Sequence, residues 1–543
     1  MTASTDPRPV ASSGEPSARW SGRIAVVVWT LLAAAAFVRY DRIGRGLTFF
    51  YDEWDWALNR HAGVRSLLLA HNGHFSLLPA VVFRVLFHTV GLGNYTPYRR
   101  VGLLVHVLVA SSLALIVARR RGRVAGIALG AVVLFLGTGW ENILWPFQIG
   151  MMGSLLFGLV AWLLLDHRTR RSDIAAAVAL CLSVASSGPA IALTAGVVVR
   201  LAWSPADRRR VWVAIPPTVL YGAWWLGFGE SQGHLRNLRW TGSYVRDLAG
   251  SAIAALAGRN LDWGRTAIGF AAAIVLVTLT RRRSVSPGTA GILTALGLNW
   301  LLTTYARADL QQPYGSRYAY LGAVLLVVLG VELFPTAPPG TTRQRGPARR
   351  WTITLVVLAL VAVRANRHPL EIGSASLHER DDIVAAELRA LEWAHDPPAK
   401  YRPDEVNAPP IFAGSYLATV HEFGSPAYTA DAVRRAGPDA RAAADRVSLE
   451  LAAPYLVAVP PSAACRPATV ETLLTLADGP GLVIVASGAP VELRLRRLAD
   501  LFGETVTTTV EAGQPMRLSR PLDDGPATWY ADLRSAAPFT LCE

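Results

Sequence analysis

At 543 residues, with 52% hydrophobic and only 17% charged side chains, the chain is too apolar for an ordinary soluble protein of its size. Its net charge of +14 would suit nucleic acid, but the arginines are punctuated by long apolar runs instead of gathered on one soluble face, which argues against a nucleic-acid partner. The basic residues are almost all arginine, Lys400 apart, and Ala and Gly abound, which matches the codon bias of a GC-rich bacterium.

Residues 1–21 are polar and read as a disordered cytoplasmic segment. The first apolar block, IAVVVWTLLAAAAFV, is not followed by a small-residue cleavage site, so it reads as a retained helix over 22–40 and not as a signal peptide. Like VGLLVHVLVASSLALIVA and YLGAVLLVVLGVELF, it is long enough to cross a hydrocarbon core, where only a helix satisfies its own backbone.

Residues 41–97 read as one outward-facing loop. It opens with FFYDEWDW, placing Asp52, Glu53 and Asp55 among aromatic residues suited to the membrane interface. Carboxylates close to hydrocarbon serve a proton, a cation or an arginine partner; the competing reading is a solvated acidic turn pairing Arg42, Arg45 or Arg60. HNGHFSLLP follows, and His71, Asn72 and His74 could bind sugar hydroxyls or a phosphate, or join the carboxylates around a divalent cation, Mg or Mn. FSLLPAVVFRVLFHTVG carries Pro79, Arg84 and His88, which suits an amphipathic helix lying in the interface.

Five arginine clusters come next: 119–123, 168–171, 208–210, 281–283 and 343–350. If all are cytoplasmic, two spans lie between each successive pair. The apolar runs at 124–139 and 149–165, 173–187 and 189–203, 211–228 and 264–280, and 287–304 and 319–334 supply them, with 229–263 as a long outward loop. With helices at 22–40, 98–118 and 351–363, the expectation is about eleven transmembrane helices, N-terminus cytoplasmic and C-terminus outside. The runs at 173–203 are short for two spans. Outward arginines at predicted helix ends, Arg99, Arg100, Arg307 and Arg317, either meet a lipid phosphate or anchor headgroups. Glu141, Trp145 and Gln148 either line a cavity or form a plain interfacial loop.

Residues 335–350 are a Pro, Gly and Arg-rich cytoplasmic linker. The membrane domain is expected to span 22–364, and 365–543 to form an extracytoplasmic domain of mixed α/β type: DDIVAAELRALEWA has helical spacing, while PYLVAV, LVIVAS and VTTTV read as strands. Cys465 and Cys542 share that domain and could pair.

A first helix, an outward loop with an acidic motif, a Pro-containing interfacial helix and a helix running from Arg99 and Arg100 to ARRRGR resemble the GT-C glycosyltransferases. Within that superfamily the chain is similar to the group holding protein O-mannosyltransferases and the aminoarabinose transferases of lipid A. The likeness covers roughly residues 22–335 as architecture, with YDEW, HNGHFSLLP and YGSRYAY as its motifs. It implies a polyprenyl-phosphate sugar donor used on the outer face with inversion, and a glycan, lipid or protein acceptor of the cell envelope. By position, Asp52 or Glu53 matches the family's acidic motif, and Arg317 and Tyr318 match the late loop that approaches the lipid phosphate. The helix count is lower than in the aminoarabinose transferases, and the C-terminal domain has no counterpart in the pattern. Two other readings remain: a transporter or flippase of lipid-linked glycans, and a non-catalytic cell-envelope assembly protein.

Overall fold

Helix α1 (Pro16–Ile43) leads into three short helices, α2 (Glu53–Asn59), α3 (Val64–Leu68) and α4 (Leu77–Val90). Then come α5 (Thr96–Arg121), α6 (Arg123–Leu134), α7 (Trp140–Leu144), α8 (Ile149–Leu164), α9 (Arg170–Val184) and α10 (Pro189–Trp203). They are followed by α11 (Ile215–Phe228), α12 (Thr241–Ala257), α13 (Leu261–Arg282), α14 (Pro287–Arg307), α15 (Ser316–Leu333) and α16 (Arg345–Ala365). The last four are α17 (Arg367–Trp393), α18 (Ala413–Phe423), α19 (Ala430–Arg435) and α20 (Pro438–Leu451). This computed structural model describes residues 16–60, 63–282, 284–334, 345–452, 454–460, 464–502, 506–525 and 528–542. The N-terminal segment to residue 15 and residues 335–344 of the expected linker lie outside them.

The chain is a polytopic helical membrane protein with a sheet domain near its C-terminus. Seven helical stretches are long and apolar enough to cross a membrane, or eight if α6 and α7, bent by 43° at their break, count as one span. Among the described residues that number is lower than the expected eleven, which is not confirmed. A helix stands at each expected place, but α9 and α10 have fifteen residues each, about 22 Å at 1.5 Å per residue, and α14 falls short in hydropathy, not length. Large apolar side chains stand exposed on α13 (Phe270, Ile274, Leu276) and α16 (Ile353, Leu358, Leu360), as suits contact with lipid.

The chain divides into two compact units, one of residues 1–43, 70–75 and 102–371, the other of 44–69, 76–101 and 372–543. In the helical unit arginines of three of the clusters, with Arg200, pair with carboxylates at one end. Arg120 donates to Asp166 (3.2 and 3.1 Å) and Glu332 (3.3 Å), and Arg200 also donates to Asp166. Arg168 reaches Asp207 at 3.0 Å, and Arg210 pairs with both Asp173 (2.6 Å) and Asp207 (2.8 Å). At the other end, Tyr40 of α1 donates to the Leu134 carbonyl of α6 at 3.0 Å. Asn366, just after α16, accepts from the Thr138 N–H (3.0 Å) and donates to the Ala255 carbonyl of α12 (3.1 Å). The α6–α7 break follows from this approach: a Cβ at Gly137 would lie 1.8 Å from the Asn366 carbonyl oxygen. The chain therefore leaves α1 and α16 at one shared end of the unit, opposite the arginine pairs.

The expected outward loop 229–263 is corrected: it contains α12, whose Gly250 lies against Gly264 of α13 and whose Ala252 lies against Gly322 of α15. Small side chains let these helices approach closely.

In the second unit, α4 buries Pro79, Ala80, Phe83 and Phe87 and leaves Val81 and Val85 exposed. The described strands are β1 (Leu456–Ala458), β2 (Cys465–Ala468), β3 (Glu471–Leu476), β4 (Leu482–Val485), β5 (Val491–Arg496), β6 (Thr507–Val510), β7 (Met516–Leu518), β8 (Trp529–Ser535) and β9 (Phe539–Cys542). They form two antiparallel sheets, ordered β1-β7-β4-β9-β2 and β3-β8-β5-β6. Alternate residues such as Val491, Leu493 and Leu495 meet Ile484, Trp529, Leu533 and Phe539 in one core. A Cys465–Cys542 disulfide joins directly opposed residues of β2 and β9.

Candidate functional site

The sequence-derived site residues divide between the two units. In the helical unit, His71-Asn72-Gly73-His74 is a tight hairpin turn. His71 N–H donates to the His74 carbonyl (3.1 Å) and His74 N–H to the His71 carbonyl (2.9 Å). Asn72 and Gly73 take the positive φ values of 50° and 75° that such a two-residue turn requires, which is why Asn-Gly stands there. Asn72 Nδ2 donates to His71 Nε2 at 3.3 Å, and the His71 ring meets Phe147 edge-on at 5.1 Å. Phe75 stacks on Trp224 at 4.9 Å, holding the chain beyond the turn.

Three features were not legible in the motif. His74 lies against Gly188, where a Cβ would be 2.6 Å from its Nδ1. Residues 230–232 pack on the turn at Gly73. Arg307, at the end of α14, donates to the Asn72 carbonyl at 3.3 Å. Burial first, then the charges of Arg307 and His71, pull the His74 imidazole down to about 4, so at neutral pH it is uncharged and able to accept a hydrogen bond. The SSGP reversal hinted at Gly188, and the helix-end arginines at Arg307.

Arg317 opens α15 beside Glu141 of α7. Glu141 Oε1 accepts from its guanidinium and Oε2 from its backbone N–H, while Ser316 Oγ accepts the Glu141 N–H at 3.1 Å. Arg317 also lies over the ring of Tyr318, which packs near Tyr244 and Ala308. Glu141 thus acts as a cap supplied by another helix.

In the second unit, Glu53 is fully buried at the start of α2. Its Oε2 accepts from the Phe50 N–H (3.0 Å) and the Tyr95 hydroxyl (2.7 Å). Burial first and the Glu53 charge next push the Tyr95 phenol well above its usual range, so it stays a donor. Asp55 accepts from Asn59 (2.9 Å) and Arg60 (3.2 Å), and Arg60 also reaches the Leu69 carbonyl. Asp52 is half-buried at the N-cap position of α2 and makes no capping bond there. Arg99 is buried, packed against Gly44, and Arg100 is exposed.

Among the described residues no three His, Cys, Asp or Glu side chains stand together as metal ligands. Glu53 and Asp55 accept the bonds given above.

No protein-family model matches the chain, and no curated protein does. Among solved structures it is similar to the crystal structure of ArnT from Cupriavidus metallidurans bound to undecaprenyl phosphate, with 15% identity and a TM-score of 0.39 over 68% of this chain and 81% of that one.

Proposed function

We propose that this protein is a membrane glycosyltransferase that moves a sugar from a polyprenyl-phosphate donor to a glycan, lipid or protein acceptor of the cell envelope, on the outer face and with inversion. The observation that carries the reading is the end of the helical unit opposite the arginine pairs. There Arg307, neutral His74 and the Glu141-bound Arg317 are all held at helix ends or turns by bonds within that unit. Guanidinium groups so placed suit a lipid phosphate, whose headgroup lies at the depth of helix ends.

In this reaction the acceptor oxygen bonds to the anomeric carbon as the bond from that carbon to the phosphate oxygen breaks. The phosphate keeps the electron pair, and Arg307 and Arg317 stabilise its charge. By its place in the acidic motif of the sequence, Asp52 is assigned the acceptor hydroxyl proton. Glu53, whose Oε2 accepts from Phe50 and Tyr95, is its alternative on sequence grounds. Asp55, His71, Asn72, His74, Arg99, Arg100 and Tyr318 complete the proposed binding residues.

Purified protein offered a panel of radiolabelled polyprenyl-phosphate sugars should release polyprenyl phosphate with at least one donor and a cell-envelope extract as acceptor. Sugar transfer lost in Asp52→Asn would support the assignment. No release with any donor would overturn it.

A further inference from the structure

Tyr51, immediately before Asp52, has a φ of 48°. A non-glycine residue enters this left-handed region at a cost and stays only where its surroundings hold it. Its side chain is 40% exposed, so packing alone does not explain the conformation. Its backbone N–H, however, donates to the Asn407 carbonyl at 3.2 Å.

That carbonyl belongs to a turn built on one buried carboxylate. Asp404, 7% exposed, accepts from the Val406 N–H (2.7 Å), the Asn407 N–H (2.8 Å) and the Asn407 side-chain amide (2.8 Å). The turn is braced from both sides: Arg446 donates to the Pro403 carbonyl at 2.7 Å and Arg402 to the Pro409 carbonyl at 2.6 Å. The approach to Tyr51 is held separately by α17, through Asp381 accepting from the Thr48 N–H at 2.9 Å and His378 Nε2 bonding the Arg45 carbonyl at 3.0 Å.

We infer that Asp404 is a positioning residue for the reaction, setting Asp52 through the turn at 404–407 and the backbone of Tyr51. Asp404 is two steps removed from Asp52, and its carboxylate accepts the turn's bonds and also meets Glu387. Its part is to keep Asn407 presenting the carbonyl that holds Tyr51, and so to fix where α2 begins and where Asp52 points. This rests on the reading of Asp52 as the base.

The test uses the full-length protein in detergent and has two arms. In the first, amide exchange is followed for peptides covering 47–56 and for peptides from the strands. Asp404→Ala should raise exchange over 47–56 and leave the strands protected as in wild type, and Asp404→Asn, which keeps one oxygen acceptor, should fall between. Should Asp404→Ala lose protection everywhere, Asp404→Asn decides alone. Unchanged exchange over 47–56 overturns the inference. In the second arm, Asp404→Ala should lower kcat by about 10- to 100-fold, the scale of a misplaced catalytic group, with donor KM unchanged. Added to Asp52→Asn it should cost nothing more, because residues acting through one another are not additive; independent losses overturn it. If wild type transfers no sugar, the functional reading fails, while the exchange arm still decides whether Asp404 sets this loop.

Discussion

Glu141 accepts two hydrogen bonds from Arg317, one from its backbone N–H and one from its guanidinium, each 2.9 Å long. The first satisfies an orphan donor at the start of α15, and the second fixes the arginine's direction. Structure and binding therefore separate by mutation. Glu141→Ala removes both bonds and should cost about 2 kcal/mol of stability, the usual worth of hydrogen bonds to a charged group. Arg317→Ala keeps the backbone bond, should cost less stability, and should raise donor KM about tenfold or more, the effect of about 1.4 kcal/mol of lost phosphate binding. Thermal melts and donor titrations check the pair. Equal effects of both variants on donor KM would mean that Arg317 serves α15 and not the phosphate.

Asp52 and Glu53 are neighbours with different surroundings, and their variants should fail differently. Asp52→Asn should leave the melting temperature near wild type and lower transfer by about a hundred- to ten-thousandfold, as loss of a general base does. Glu53→Ala strands the Phe50 N–H and the Tyr95 hydroxyl and should cost about 1–3 kcal/mol of stability. Full transfer by Asp52→Asn with its native donor would remove this loop from the chemistry.

His74 gives a pH signature. The folded protein keeps it neutral down to about pH 4, while the unfolded chain protonates it near its usual 6.5. Between those values the unfolded chain binds more protons. Its contribution to stability is thus intact above about pH 6.5 and is lost as pH falls toward 4. Melting temperatures of wild type and His74→Gln, recorded from pH 7.5 to 4.5, should converge in slope above 6.5, with the wild type falling more steeply below it. Parallel curves across the whole range would contradict the burial of this imidazole.

The arginine network and the shared end of α1 and α16 set up an orientation test. In a Cys181→Ser background, a cysteine replacing Arg209 should be shielded from an impermeant thiol reagent in intact cells. Cysteines replacing Asn94 and Lys400, both exposed in the second unit, should react. Labelling at position 209 alone would invert the proposed topology.

The apolar runs were enough to place a helix at every expected position, because in a membrane an apolar run has no other way to satisfy its backbone. They did not reveal the break after Leu134, which depends on Asn366 packing against Gly137 from more than two hundred residues away. Nor did they reveal α12: Gly250 and Ala254 on one face and Ala252 on another carry little hydropathy, and its burial depends on glycines of two other helices. At the site, YDEW and HNGH could be read as chemistry from their residue types. That Tyr95 would engage Glu53, or that Asn407 would hold Tyr51, could not, since each partner is an ordinary residue made specific only by folding. The two cysteines could be named as a candidate pair because they share the domain, but only the strand register brings them opposite.

The pairing of arginines with carboxylates has a consequence for biosynthesis. Arg120 precedes its partner Glu332 by 212 residues, which at about 5–20 residues per second is roughly ten to forty seconds of translation. Asp166, made 46 residues after Arg120, can pair with it early in that interval, so only before Asp166 arrives does the arginine meet the inserting machinery with neither carboxylate, as a retention signal in the proposed topology. Once Glu332 arrives, the same charge becomes a tie between helices. One arginine can thus first orient the nascent chain and afterwards brace the finished protein, and replacing it should produce mis-inserted molecules as well as less stable ones.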